Sequence, residues 1–237
     1  MRILALESSA KQTSAALVED GKLIAQNSQN AGLTHSKTLL PLTHSLLHDL
    51  GLTIADIDKI AVAHGPGSFT GIRIGIATAK GLAMGADKPL VGVSTLEAMA
   101  HQAKHLGEGI ICPVMDARRE QVYNALFTME DGTLTRLTED RAIAIEALFA
   151  ESEQDLPYIL VGDGAALCYS WLKERGREAI MLPDHLVQQT AWGVAIAAMN
   201  QADRDIHEVN PHYIRPSQAE RERFGGAFKP PQSLQNV

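Results

Sequence analysis

Two hydrophobic periods take turns along this chain. Residues 2–6, 13–19 and 22–26 carry short apolar runs that predict three strands, with Asp20-Gly21 as a hairpin turn between the last two. From Ser36 to Leu50 the period lengthens. Leucines at 39, 40, 42, 46, 47 and 50 mark one side of a helix that Gly51 stops and Pro41 either kinks or delays. An apolar strand, Lys59–Ala63, then leads through a glycine-rich turn into a helix, Gly71–Gly85. A strand (Pro89–Val93) and a helix (Thr95–His105) complete a βββαβαβα order.

The second half repeats that order. Strands are predicted at Ile110–Met115, Gln121–Met129 and Thr133–Leu137, with Asp131-Gly132 turning the second hairpin. A short helix (Ile145–Ala150), a strand (Tyr158–Val161), a helix running to Arg175, a strand (Ala179–Leu182) and a long helix (His185–Asn200) follow. Shifting one half onto the other pairs Glu7 with Asp116, Gln12 with Gln121, Ala16 with Ala125 and Leu17 with Leu126. Two βββαβαβα halves predict an α/β, duplicated ribonuclease-H-like fold, the architecture of the actin, Hsp70 and sugar-kinase superfamily. Its parallel strands need right-handed crossovers. The expected division is 1–106, 107–212 and a partly mobile tail, 213–237.

Composition narrows the function. A net charge of −7 argues against a protein that grips nucleic acid alone by neutralising phosphates. Two widely separated cysteines, Cys112 and Cys168, form no zinc or disulfide pattern, which predicts a reduced, cytoplasmic setting. MRILALESS turns polar too early for a secretory signal, and no apolar run approaches a membrane span. The tail contains Arg215, Arg221, Arg223 and Lys229 against Glu220 and Glu222, either a contact for tRNA or a partner, or a solvated end.

The stretch HGPGSFTGIRIGIATAKGLAMG, His64–Gly85, raises two readings. Gly65, Gly67 and Gly71 precede a helix, as a phosphate cradle requires, but neither the Walker A nor the GxGxxG spacing is present. Within the helix, Gly71 and Gly75, and again Gly81 and Gly85, stand four apart with Ala79 and Ala83 between. Small residues at that spacing let a second helix approach closely, and this packing reading is the stronger.

GPGSFTGIRIGIATAKGLA with PLVGVSTLEAMA closely resembles the hallmark stretch of the bacterial TsaB (YeaZ) family. The likeness extends to ILALESS, THSKTLLPL, LVGDGA and PHYIR, and so covers most of the chain. It implies a subunit that works with a TsaD-type paralogue and a TsaE-type ATPase. Together these transfer a threonylcarbamoyl group from threonylcarbamoyl-AMP to N6 of adenosine 37 in ANN-decoding tRNAs. It also implies a homodimer when alone, tRNA contact through the complex, and ATP or ADP and metal in the partner complex. The family's contact helices match Ser36–Leu50 and Gly71–Gly85. Candidate partner-binding residues are therefore Leu39, Leu42 and Leu46 on the first, and Gly71, Ile72, Arg73, Gly75, Ile76, Ala79 and Ala83 on the second.

Catalytic readings are weaker. Where the paralogue's metal-binding helix has two histidines, this chain has Thr95 and Met99, which cannot replace two imidazoles. His44/His48 and His101/His105 stand one turn apart without a third ligand, the pattern of exposed helix histidines. No G-x-S-x-G nucleophile motif occurs. Superfamily kinases meet phosphate with a D-x-G-T turn, whereas this chain reads Glu7-Ser8-Ser9-Ala10. Glu7, Ser8, Ser9, Gly162, Asp163 and Gly164 remain minor nucleotide-facing candidates, with no catalytic residue, intrinsic cofactor or metal expected. The reading is a non-catalytic subunit that positions a TsaD-type enzyme. Its rivals are a stand-alone ATP-dependent enzyme using the cleft, such as a small-molecule kinase, and a homodimeric interaction module outside tRNA modification.

Overall fold

A computed structural model describes residues 1–150, 156–203 and 205–215; the rest of the tail, with Arg221, Arg223 and Lys229, lies outside the described residues. In the first half, β1 (Arg2–Glu7), β2 (Thr13–Glu19), β3 (Lys22–Gln29), β4 (Lys59–Gly65) and β5 (Leu90–Ser94) form one sheet in the order β3-β2-β1-β4-β5. β1 pairs antiparallel with β2 and parallel with β4, which pairs parallel with β5. Asp20 and Gly21 both take positive φ, as the hairpin turn demands. The helices are α1 (His35–Asp49), α2 (Phe69–Ala86) and α3 (Thr95–Ala103). α1 begins before Pro41 and runs through it, with Pro41 on the exposed side.

The second half contains β6 (Ile110–Asp116), β7 (Gln121–Asn124), β8 (Phe127–Glu130), β9 (Thr133–Arg136), β10 (Arg141–Ala144), α4 (Ile145–Ala150), β11 (Tyr158–Val161), α5 (Ala165–Lys173), β12 (Ala179–Met181), α6 (Asp184–Val187) and α7 (Ala191–Ala198). Its main order, β10-β7-β6-β11-β12, mirrors the first sheet, while β8 pairs with β6 and β9. The duplicated ribonuclease-H-like fold expected from the sequence is present, with two local corrections.

The first concerns the strand expected over Gln121–Met129, which breaks after Asn124. On the neighbouring strand Pro113 has no N–H to offer the ladder. The buried Asn124 amide instead donates to the carbonyls of Pro113 (3.1 Å) and Ala125 (3.0 Å). Beyond the break Leu126 N–H donates to Thr138 Oγ1 (2.8 Å). The edge position held by β3 in the first half is thereby shared between β9, on β8, and β10, on β7. β10 is absent from the strands expected from the sequence; all four of its residues are half-buried, so no alternation marks it.

The second concerns the helix expected over His185–Asn200, which is two helices. Gln188 is extended (φ −78, ψ 153) and interrupts the run. The break is held from another element: Gln102 on α3 donates to Gln188 O (2.9 Å) and accepts from Thr190 N–H (3.1 Å).

That break redirects the chain. α7 leaves its own half and lies on the first sheet, where Ala191, Val194, Ala195 and Ala198 pack with Ile3, Ala5, Ala16, Val18, Ala61 and Val91. Conversely, Leu96, Met99, Ala100 and Ala103 of α3 belong to the second half's core, with Ile111, Val114 and Leu160. Where the exchanged helices cross, a Cβ on Gly193 would lie 2.2 Å from Ala98 O, so only glycine permits this approach. Both cysteines are buried free thiols, and burial pushes Cys168 up to about 12. Among the described residues no helix is long and apolar enough to cross a membrane.

Replacing Gly193 by alanine improves helix propensity yet forces the crossing apart. The expected result is a loss of about 2–3 kcal/mol in urea denaturation, as for overpacked cores. An unchanged midpoint would show that α3 and α7 do not need this approach.

Candidate functional site

The glycine-rich stretch meets the turn between β1 and β2. A Cβ on Gly67 would lie 2.3 Å from Ser9 O, one on Gly71 2.1 Å from Ser8 O, and one on Gly75 2.5 Å from Ser8 Oγ. Ser8 Oγ donates to Gly71 O (3.0 Å), and Ser68 N–H donates to Ser9 O (2.6 Å). Ser68 also caps α2, accepting from Gly71 N–H (3.2 Å). These three glycines therefore serve close packing inside the chain: they seat the Ser8-Ser9 turn on the first turns of α2.

α2 has two unlike faces. Gly71, Ile72, Gly75, Ile76, Ala79 and Ala83 turn inward, and Ile72, Ile76, Ala79 and Ala83 share a core with Leu39 and Leu46 of α1 and Leu4, Leu6, Ile60 and Val62 of the sheet. Of the residues singled out as partner contacts, Arg73 is exposed and Leu42 half-buried; the other eight lie inside this chain. The physical reason is the sheet's own apolar face, which claims the stripe with the isoleucines. The outward stripe, passed over in the sequence, comprises Arg73, Ala77, Gly81, Met84 and Gly85. Met84 is 62% exposed, and among the described residues nothing lies within 4 Å of a Cβ built on Gly81 or Gly85. Beside α2, α1 exposes Leu40.

Between the halves lies a cavity of about 550 Å³ whose lining includes Ser9, Lys11, Asp116, Arg118, Asp163 and Arg215. Of the nucleotide-facing candidates, Ser9 and Asp163 line it, while Ser8 is turned to α2. Gly162 (φ +108) and Gly164 are close-packing residues. A Cβ on Gly162 would fall 2.2 Å from Val114 O, and one on Gly164 3.1 Å from Asp116 N. Asp116 Oδ1 accepts from Arg118 N–H (2.7 Å). That turn holds Arg118, Arg119 and Glu120 in three successive left-handed conformations, which cost side-chain-bearing residues roughly 1–2 kcal/mol each.

Burial dominates the charges here. It raises Asp163, which accepts from the Gln189 amide (3.4 Å), against the lowering effect of that bond. Burial also pushes Glu7 to about 7, helped by the neighbouring charge of Asp163 and opposed by the N–H groups of Ser8 and Ser9. Glu7 Oε1 accepts from Ser9 N–H (2.5 Å), while its Oε2 has no hydrogen-bond partner among the described residues.

Among the described residues no group of three or more His, Cys, Asp or Glu is placed to hold a metal ion. Thr95 and Met99 are fully buried, and Met99 Sδ lies 2.8 Å from where a Gly162 Cβ would be, so this helix face is filled by packing. His44 and His48 stack with centroids 6.1 Å apart on the exposed side of α1. Burial lowers His101 to about 4, leaving it neutral near pH 7.

Comparison with known proteins gives a consistent result. The family described as "TsaD: tRNA N6-adenosine threonylcarbamoyltransferase" matches residues 25–222. The "tRNA threonylcarbamoyladenosine biosynthesis protein TsaB" of Bacillus subtilis (strain 168) is 32% identical over 222 residues, 93% of this chain and 96% of the relative. The Escherichia coli (strain K12) protein of the same name is 36% identical over 167 residues, 69% and 72% of the two chains. A solved structure described as "YeaZ from Pseudomonas aeruginosa" superposes with a TM-score of 0.75 at 24% identity, covering 90% of this chain and 99% of that one.

Glu7, fully buried and outside the cavity lining, links the stability of the fold to pH. Its folded-state value lies above the ordinary 4.5, so the native state holds a proton that the unfolded chain has released. Stability is therefore lost as pH rises from about 4.5 through about 7, by on the order of 3 kcal/mol. Glu7→Gln, neutral at every pH, should raise the thermal midpoint at pH 8 and change it little at pH 5. Equal effects at both values would mean that Glu7 does not carry this proton.

Proposed function

The chain belongs to the TsaB (YeaZ) family of tRNA threonylcarbamoyladenosine biosynthesis proteins, and on that premise we propose that it is the non-catalytic subunit that binds and positions a TsaD-type enzyme. Its role lies in the formation of threonylcarbamoyladenosine in tRNA. In this reading the paralogue performs the transfer to N6 of adenosine 37, and a TsaE-type ATPase, nucleotide, metal and tRNA join through the complex. Alone, the chain pairs with a second copy through the same face.

One observation carries the proposal. Gly81 and Gly85 sit in a helix where glycine costs about 1 kcal/mol relative to alanine, yet among the described residues nothing occupies the space that a Cβ would fill. Gly67, Gly71 and Gly75 have an internal reason to be glycine; these two do not. With Ala77 and Met84 they make a low, partly apolar face onto which another helix can lie closely, with Arg73 at its N-terminal end.

The non-catalytic part rests on Thr95 and Met99, which stand in a filled core where the resemblance puts the paralogue's histidines. A stand-alone ATP-dependent enzyme is disfavoured because side chains stand where a phosphate turn needs glycine and the turn is tied to α2, Ser8 through Gly71 O and Ser9 through Ser68 N–H.

Two measurements test the reading. Gly81→Arg should keep or raise the melting temperature, since it improves helix propensity on an exposed face. The same change should abolish dimerisation and capture of a TsaD-type protein in size exclusion and pull-down. Ile76→Glu, aimed at the core, should instead melt early. Normal assembly by a folded Gly81→Arg protein would place the contact elsewhere. The isolated chain should also transfer no threonylcarbamoyl group to tRNA with metal and threonylcarbamoyl-AMP supplied; measurable turnover would end the scaffold reading.

A further inference from the structure

The segment Val209–Arg215, which includes the PHYIR run, crosses from one half to the other beside the cavity. Its first residues belong to the first half. Val209 is buried in that half's core, and Gly92 gives it room: a Cβ there would meet Val209 Cγ1 at 3.1 Å. His212 N–H donates to His64 O (2.8 Å), and the His64 ring contacts Asn210 O (3.3 Å). A Cβ on Gly65 would lie 2.5 Å from His212 O, so the segment is seated directly on the end of β4.

Its middle is clamped to α2. The Tyr213 ring stacks on Phe69 with centroids 4.3 Å apart, and the Arg73 guanidinium lies 3.9 Å over the Phe69 ring. Arg73 Nε donates to Tyr213 Oη (2.7 Å). The last residue belongs to the other side of the cleft. Arg215 donates to Ala117 O (3.5 Å), in the turn that holds Arg118, Arg119 and Glu120 in left-handed conformations. Residues 212–215 line the cavity together with Ala117 and Asp163.

We infer that Val209–Arg215 is a strap that holds the two halves at a fixed opening over the cavity, with the Arg73–Phe69–Tyr213 clamp as its release point. Three features fit this role better than that of a passive tail. Both ends are bonded, and to different halves. The clamp is a cation, two stacked rings and a charge-assisted hydrogen bond, a directional set that either closes or lets go as a unit. The far anchor is a turn whose backbone resists its own conformation, so releasing Arg215 frees that turn to relax.

The test uses the full chain with spin labels at Asp49→Cys on α1 and Glu174→Cys just beyond α5; both native cysteines are buried and stay unlabelled. Tyr213→Ala should broaden the inter-label distance distribution, and Tyr213→Phe, which keeps the ring, should do so less. Amide exchange in the 117–121 turn should quicken about tenfold in Tyr213→Ala, with β1 and β4 unchanged. Arg215→Ala is the second variant, independent of the clamp, and should loosen the same turn while leaving the contacts of Tyr213 intact. If Tyr213→Ala melts early, Arg215→Ala decides. Unchanged distances and exchange in the folded variants would overturn the strap. The labelled chain is diluted into excess unlabelled protein, so that only distances within one chain are read and the result stands apart from that of the docking proposal.

Discussion

The fold depends on the crossing of α3 and α7 at Gly193 and Ala98. Each of these helices follows a strand of one half and covers the core of the other. The two sheets are therefore not independent slabs joined by a linker, since each finishes its neighbour's interior. Small residues make this possible: α7 presents mostly alanines, with Val194, to the first sheet and Gly193 to α3, so its backbone lies close to both. The outer face of the same sheet is closed by bulkier residues, Ile72, Ile76, Leu39 and Leu46. One sheet thus carries a thin cover and a thick one, and the thick cover is what leaves α2 with an outer stripe to offer.

Much of this was legible in the residue pattern. The first half was read nearly element by element because β1, β2, β4 and β5 are buried on both faces and its hairpin turns on Asp20-Gly21. The second half was less clear for reasons that can be named. Asn124 holds a strand break in place of the proline N–H that is missing from the next strand, a long-range effect. Gln102 breaks a helix from another element. Sequence periodicity is blind to both. The two-stripe ambiguity of α2 is of another kind: apolar residues at helical spacing show that a face is buried, but not by which partner.

Glycine shows that limit most clearly. Five glycines between Gly67 and Gly85 look alike in sequence. In the structure Gly67, Gly71 and Gly75 meet Ser8 or Ser9, while Gly81 and Gly85 meet nothing among the described residues. The candidate chemistry divides likewise. Ser9 and Asp163 reach the cavity, whereas Gly162 and Gly164 are spacers for β6. The strap at PHYIR gave no periodic signal at all, because its partners lie on β4, α2 and the β6–β7 turn.

The exchange of helices has a consequence for how the chain is made. The first sheet ends at Ser94, but the helix that covers one of its faces spans Ala191–Ala198. At a synthesis rate of about 5–20 residues per second, the roughly 100 residues between them take some 5–20 s to appear. Throughout that interval Ile3, Ala5, Val18, Val91 and Val93 stand uncovered on the nascent chain. The N-terminal half thus leaves the ribosome as an open-faced sheet, a client for whatever binds exposed aliphatic surface there, until its last helix arrives to close it.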